Sequence, residues 1–271
     1  MASLIHSVKE AFTSHHPETQ YAQGIEPGIN PRVAQEAPNV PKRLYHTTLT
    51  VVDPHTVHTD PAGSAVERST FPLGTLATRE AAMRFAEEQA LRGLGYEPDD
   101  FEVYETKSSL PGGGKWAHGE DALVYARTPA GQEFIVRVED RANKEHIAVR
   151  TDESPEVHFP TGSDHLSYVL VTETDYRNES TKTAIQGCYY HRIDALDAAK
   201  EALLASGTLK KSQFGQYDER ETFDRSTAND WPFGEDVVVH AVGSKGENFK
   251  VAIKTVPGAH QKHGKMAAQQ K

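Results

Sequence analysis

The residues best suited to acid–base chemistry in this chain lie in two short acidic turns. Each turn has the spacing Trp-x-x-Gly-Glu-Asp, and the two turns supply four candidate catalytic carboxylates: Glu120, Asp121, Glu235 and Asp236. Paired carboxylates can serve as general acid and general base. Neighbouring residues of a strand point to opposite faces, however, so the Glu and the Asp of one turn would not reach the same substrate. We therefore favour a structural turn in which Asp caps local N–H groups.

Aromatic side chains are the candidates for ligand binding, because such residues often line small-molecule pockets. The four candidates are the tryptophans of the two turns and two tyrosines that would flank a cleft between the halves of the chain: Trp116, Trp231, Tyr45 and Tyr190. Aromatic residues on strands are also ordinary core residues. A packing role for each of the four therefore stays open beside the binding role.

One histidine-containing segment suggests a metal site. Residues 53–60 are Asp-Pro-His-Thr-Val-His-Thr-Asp, in which His55 and His58 could complete a first shell with the two aspartates. The matching segment of the second half, 172–180, contains no histidine, and the spacing fits no known metal motif. We therefore expect a surface loop over 53–63, with no metal and no cofactor.

Two other patterns fail on their spacing. Residues 111–115 (Pro-Gly-Gly-Gly-Lys) resemble a phosphate-binding loop, but Ser109 stands where that motif needs glycine and Trp116 follows the lysine. Cys188 has His191 nearby, yet residues three apart in an extended segment point to opposite faces. We expect a buried thiol, and a single cysteine excludes an internal disulfide and a cysteine-based zinc cluster.

The strongest pattern in the chain is an internal repeat. Residues 116–138 and 231–253 align without a gap, and 9 of the 23 positions are identical. Chance matching at ordinary residue frequencies would give only about one or two identities. The chain is therefore a tandem duplication, and any mechanism has to account for two related halves.

Each half predicts the element order β-β-α-β-β-β. Repeat 1 is predicted to contain strands near 44–53, 66–71 and 101–107, a helix over 79–91 capped by Thr78, and hairpin strands near 121–127 and 133–139. Repeat 2 is predicted to contain a strand over 166–176, a helix over 195–205 capped by Asp194, a strand near 217–223 and the second hairpin. Alternation of apolar and polar residues in both hairpins places one sheet face on a core.

These elements predict an α+β fold, a tandem duplication of a β-β-α-β-β-β unit whose antiparallel sheets each pack one helix and form an intrachain pseudo-dimer. In outline this order resembles the α+β units that dimerise through their sheets, including the dimeric α/β-barrel group; that resemblance implies a fold and no activity. The predicted organisation is a proline-rich N-terminal arm (1–43), repeat 1 (44–140), a linker with one strand at 146–150 (141–165), repeat 2 (166–256) and a basic flexible tail (257–271).

Composition limits the partners. A net charge of −10 argues against nucleic acid and anionic membranes, because phosphate binding depends on clustered Lys and Arg. No apolar run approaches the roughly 20 residues of a membrane helix. We expect a cytoplasmic, non-enzymatic binding or adaptor protein that takes a small molecule or a protein in the cleft between its repeats. The alternative is a cofactor-free enzyme (lyase, isomerase or hydrolase) that uses a carboxylate in that cleft. The oligomeric state is left open.

Overall fold

The chain folds into two five-stranded sheets with the same strand order. The computed structural model describes residues 39–60, 63–110, 115–150, 155–205, 209–221 and 231–258. One sheet has the order β2-β1-β5-β4-β3 and the other the order β7-β6-β10-β9-β8. Every paired neighbour is antiparallel. The duplicated α+β fold predicted from the sequence is therefore confirmed.

Repeat 1 contains five strands and one helix. The strands are β1 (Arg43–Asp60), β2 (Gly63–Leu76), β3 (Val103–Thr106), β4 (Ala122–Arg127) and β5 (Glu133–Ala142). Helix α1 (Arg79–Glu88) begins after Thr78, whose Oγ1 accepts a hydrogen bond from the backbone N–H of Ala81 at 3.3 Å. The predicted N-cap is therefore confirmed. Three short 3₁₀ helices follow at Arg92–Leu94, Pro98–Asp100 and Lys107–Ser109.

Repeat 2 has the same elements in the same order. Its strands are β6 (Ser167–Asp175), β7 (Ser180–Tyr189), β8 (Gln216–Glu219), β9 (Val237–Val242) and β10 (Asn248–Lys254), and Lys211–Gln213 is a 3₁₀ helix. Helix α2 (Arg192–Glu201) begins after His191, so the prediction of Asp194 as its N-cap was wrong. Asp194 instead lies in the first helical turn, where a carboxylate interacts favourably with the helix dipole.

The two sheets share their irregularities as well as their order. The β1–β2 ladder shifts register between Thr47 and Thr48, and the β6–β7 ladder shifts between Val169 and Leu170. Each hairpin turns at a glycine with a positive φ, 85° at Gly131 and 88° at its counterpart 246, a conformation that is cheap only for glycine. Bulges at matching positions show that both repeats kept one ancestral backbone.

One face of each sheet packs against the helix of its own repeat. On β5, Phe134 and Val136 are buried in the apolar core that includes Ala86 of α1. On β10, Val251 and Ile253 are buried in the matching core with residues of α2. The alternation predicted for the hairpins is confirmed, and the residues between these positions point to the face that carries no helix.

A third apolar cluster joins the two repeats. It combines Leu44 of β1, Ile147 of the linker, and Tyr168 and Ile185 of repeat 2. A polar chain crosses the same region, because the Thr75 hydroxyl lies 2.8 Å from His46 Nδ1 and 2.9 Å from the Tyr168 hydroxyl. This packing is consistent with the predicted pseudo-dimer.

Two further local predictions were wrong. Residues 53–63 do not form a separate loop, because β1 extends to Asp60 and β2 starts at Gly63. The predicted linker strand at 146–150 is reduced to isolated bridges from Val149 to Asn39 and to Val157. Nearly all of the predicted arm and tail falls outside the described residues, as do the glycines of the 111–115 segment. No helix in the described ranges is long and apolar enough to cross a membrane.

Candidate functional site

Two clefts lie between the repeats, on the sheet faces that carry no helix. The first cleft, of about 560 Å³, is lined by residues of β1, β2 and β5 from repeat 1 and of β7 from repeat 2. The second cleft, of about 420 Å³, is lined by residues of β6, β7 and β10 from repeat 2 and of β2 from repeat 1. Each cleft therefore combines the sheet of one repeat with an edge strand of the other.

Strand register shows that the clefts are built from equivalent positions. Thr50 lies opposite residue 135 on β5, and Thr172 lies opposite residue 250 on β10, which is the matching position of the aligned repeat. Arg137 pairs with the first residue of β4, and Ala252 pairs with the first residue of β9. Differences between the clefts are therefore changes of side chain on one common backbone.

Each sheet has a cross-strand pair of threonine hydroxyls on its helix-free face. The Oγ1 atoms of Thr50 and Thr70 lie 3.1 Å apart in repeat 1. Those of Thr172 and Thr183 lie 2.9 Å apart in repeat 2. A hydroxyl both donates and accepts, so each pair presents further hydrogen-bonding capacity beyond the bond it makes internally.

The half-buried Arg137 distinguishes the first cleft from the second. Its guanidinium donates to Thr50 Oγ1 at 3.3 Å, and no carboxylate of the described residues forms a salt bridge with it. Burial lowers the pKa of Arg137, Asp121 and Glu139 oppose that effect, and the nearby Arg68 adds to it. Both arginines line the first cleft.

Three other charged residues of the first cleft form ion pairs. Arg141 binds Glu139 at 2.9 Å and donates to the backbone carbonyl of Ile185 at 2.6 Å, which ties β5 to β7. Asp140 accepts from Arg43 at 2.8 Å. These pairs neutralise two of the three carboxylates that line the cleft and leave Asp121 as the third.

The second cleft has a different electrostatic character. The ammonium group of Lys254 donates to the backbone carbonyl of Thr70 at 2.9 Å and lies 4.6 Å from the ring centre of Phe71. Burial raises the pKa of Asp236, and attraction to Lys254 opposes that rise. Burial in turn lowers the pKa of Lys254. This lysine is therefore used to dock the two repeats.

The four predicted carboxylates are separated by the fold. Asp121 lines the first cleft, and Glu235 and Asp236 line the second. Glu120 is exposed and does not line either cleft; its backbone carbonyl accepts from Lys107 at 2.6 Å. No two of the four from different turns meet in one cleft, and burial raises the pKa of Asp236.

Of the aromatic candidates, Tyr45 lines the first cleft. Tyr190 does not, because its hydroxyl donates to the carbonyl of His158 and accepts from the N–H of Ala148, each at 2.9 Å. Trp116 packs with Val52 on the helix-free face of its own sheet. Tyr190 and Trp116 therefore have packing roles in this structure.

An aromatic stack is repeated behind each tryptophan. In repeat 1 the ring of His118 lies parallel to that of Tyr125 at 3.9 Å, and Trp116 contacts His118 edge-on. In repeat 2, Phe233 lies parallel to His240 at 3.9 Å, and the counterpart tryptophan contacts Phe233 edge-on at 5.0 Å. Trp231 thus belongs to a stack that fixes the turn on the sheet.

The histidine segment does not assemble a metal site in the described residues. His55 is exposed, and its Nε2 lies 2.8 Å from the carbonyl oxygen of Ala130. His58 lies in β1, and its side chain is outside the described part of the structure. Within that part, no group of three or more His, Cys, Asp or Glu residues is placed to hold an ion. Burial raises the pKa of Cys188 to about 12, so this thiol stays protonated at neutral pH.

The sequence analysis did not identify four residues that line the first cleft: Arg68, Arg137, Thr50 and Thr70. The aligned repeats contained one signal, because Arg137 and Ala252 occupy equivalent positions in the alignment. That difference falls on the polar side of a strand whose apolar side is unchanged at Val136 and Val251. Comparison of the chain with protein-family models, with curated proteins and with solved structures found no match.

Proposed function

We propose that this protein is a non-enzymatic binding protein that holds a small molecule in the first cleft, between its two repeats. The observation that carries the proposal is the half-buried guanidinium of Arg137, which donates to Thr50 and has no salt bridge within the described residues. Repeat 2 builds the same sheet with Ala252 at this position. The fold therefore does not need the arginine, and a ligand supplies its missing partner.

A cleft-filling variant tests this function. Ala184 lines the first cleft from β7, and Ala184→Trp places an indole in the space of the ligand. Glu173→Trp, on an exposed position of the neighbouring strand, is the matched control. The full chain, both variants and a collection of anionic, neutral and cationic metabolites are compared by thermal shift and native mass spectrometry.

The expected result is a compound that raises the melting temperature of the full chain and of Glu173→Trp but not of Ala184→Trp. Near-ultraviolet circular dichroism establishes whether Ala184→Trp is folded, and Thr183→Trp, at a position that lines the first cleft and not the second, replaces it if it is not. The proposal is overturned if no compound binds, or if binding survives in the folded cleft-filling variant.

A second function is favoured by the raised pKa of Asp236 in the second cleft, where Lys254 lies close by. A buried carboxyl with a raised pKa suits proton transfer in a cofactor-free lyase, isomerase or hydrolase. Turnover of a bound compound that is lost in Asp236→Asn and kept in Glu235→Gln would establish the enzyme. Recovery of every bound compound in chemically unchanged form would instead favour the binding function.

A further inference from the structure

We infer that the ligand of the first cleft carries an oxyanion, either a carboxylate or a phosphate group, held between Arg68 and Arg137. This inference rests on the proposed function, because it specifies the ligand of the same cleft. Against a net charge of −10, the first cleft is lined by five basic and three acidic residues.

The two arginines lie on the sheet face that carries the Thr50–Thr70 hydroxyl pair. Arg68 lies opposite Val52 in the β1–β2 ladder, and Thr70 lies opposite Thr50, so both β2 side chains project from the helix-free face. Arg137 reaches the same pair from β5 through its bond to Thr50. Two guanidiniums, together with the one hydroxyl proton that the Thr50–Thr70 bond leaves free, form a donor set that matches an oxyanion with several acceptor oxygens.

The carboxylates nearby do not satisfy this set. Glu139 is bound to Arg141, and Asp140 is bound to Arg43. Asp121 attracts Arg137 without forming a salt bridge to it in the described residues. Neighbouring guanidiniums repel one another, and an anion placed between them removes that repulsion.

Repeat 2 is an internal control for this assignment. Its equivalents of Arg137 and Arg68 are Ala252 and Thr181, because Thr181 lies opposite Thr174 as Arg68 lies opposite the matching residue of β1. The second cleft has Ala252 where the first has Arg137, whereas Arg68, on β2, lines both clefts. The arginines were therefore gained or kept in one repeat only, independently of what the sheet requires.

The test uses the residues that repeat 2 supplies. Arg137→Ala and Arg68→Thr introduce side chains that the same backbone already accepts. Arg84→Ala, on an exposed position of α1, removes the same charge away from the cleft. Binding of inorganic phosphate and of citrate to each full-length protein is measured by isothermal titration calorimetry at low ionic strength, because salt screens such contacts.

We expect the unmodified chain to bind at least one of the two anions, and the tighter one identifies phosphate or carboxylate as the preferred group. Arg137→Ala and Arg68→Thr each weaken that binding about 10- to 100-fold, whereas Arg84→Ala leaves it within about twofold. The inference is overturned if neither anion binds, or if Arg84→Ala weakens binding as much as the cleft variants. Neutral compounds that bind the unmodified chain but not Ala184→Trp would then support the proposed function with a ligand that carries no oxyanion.

Discussion

Arg137 on β5 and Ala252 on β10 occupy the same position of the duplicated sheet, and the arginine has no carboxylate partner in the described structure. Burying a guanidinium costs free energy, and the single hydrogen bond to Thr50 does no more than offset that cost. We therefore predict that Arg137→Ala changes the free energy of unfolding by less than about 1 kcal/mol.

Urea unfolding checks this prediction, with Phe134→Ala on the same strand as the control. Phe134 is only 1% exposed, and its removal should cost about 3–5 kcal/mol. A loss of 3 kcal/mol or more in Arg137→Ala would show that the arginine holds the fold together, which would remove the basis of the proposed function.

The buried His46 should make stability depend on pH. Burial, with a smaller contribution from Arg141, lowers its pKa from 6.5 to about 4 in the folded chain. Between pH 6.5 and pH 4 the unfolded chain therefore binds more protons than the folded chain. The free energy of unfolding that His46 contributes above pH 6.5 is lost as the pH falls towards 4. The loss attributable to His46 is about 3 kcal/mol.

Chemical unfolding at a series of pH values measures this loss, with His46→Gln as the reference. Glu139 and Asp236 have raised pKa values and act in the opposite direction, but they are common to both proteins. Between pH 7 and pH 4 the unmodified chain should lose more stability than His46→Gln. Parallel pH profiles would contradict the assignment of a neutral, buried imidazole.

The Trp-x-x-Gly-Glu-Asp turn depends on its glycine. Gly119 has a φ of 94° and its counterpart Gly234 has a φ of 115°, in the region that side-chain-bearing residues disfavour. We predict that Gly119→Ala and Gly234→Ala each cost about 1–2 kcal/mol. Gly93→Ala, where a Cβ meets nothing within 4 Å and φ is not positive, should cost less than about 0.5 kcal/mol in the same thermal unfolding experiment. Equal costs at all three positions would contradict the role given to backbone conformation.

Docking of the repeats should depend on Lys254. Its ammonium group donates to the carbonyl of Thr70 in the other repeat. The same positive charge opposes the rise that burial causes in the pKa of Asp236. Lys254→Met leaves that carboxyl buried without its main attraction, and we expect a loss of about 2–3 kcal/mol at pH 7. The double variant Lys254→Met/Asp236→Asn should recover part of it, and a double variant less stable than Lys254→Met would contradict this coupling.

The fold could be predicted from the sequence because its determinants are local and occur twice. Alternation around Phe134 and its counterpart in repeat 2 identifies the hairpins, and Thr78 identifies the start of α1. The predicted bounds of the elements were wrong where polar residues lie within a strand. Pro54 and His55 suggested a loop, but β1 continues through them at a register shift against β2 and beyond its last pair with β5, where a missing N–H is tolerated.

The site could be predicted only in part, because the first cleft is assembled from strands that are distant in sequence. Tyr45 and Asp121 were identified and line this cleft. Arg68 and Arg137 were not, since single arginines on strands resemble any exposed polar position. Their significance depends on β-sheet register and on the approach of β7 from the other repeat, and neither is visible in a local pattern.

The most direct measurement is an anomalous difference map from crystals of the full chain soaked in selenate, a tetrahedral oxyanion whose selenium can be located without ambiguity. We predict a peak between the guanidiniums of Arg68 and Arg137, within hydrogen-bond distance of the Thr50–Thr70 hydroxyl pair. We predict no peak at the equivalent position beside Ala252 and Thr181. Selenate bound only elsewhere, with the first cleft empty, would contradict an oxyanion site between the two arginines.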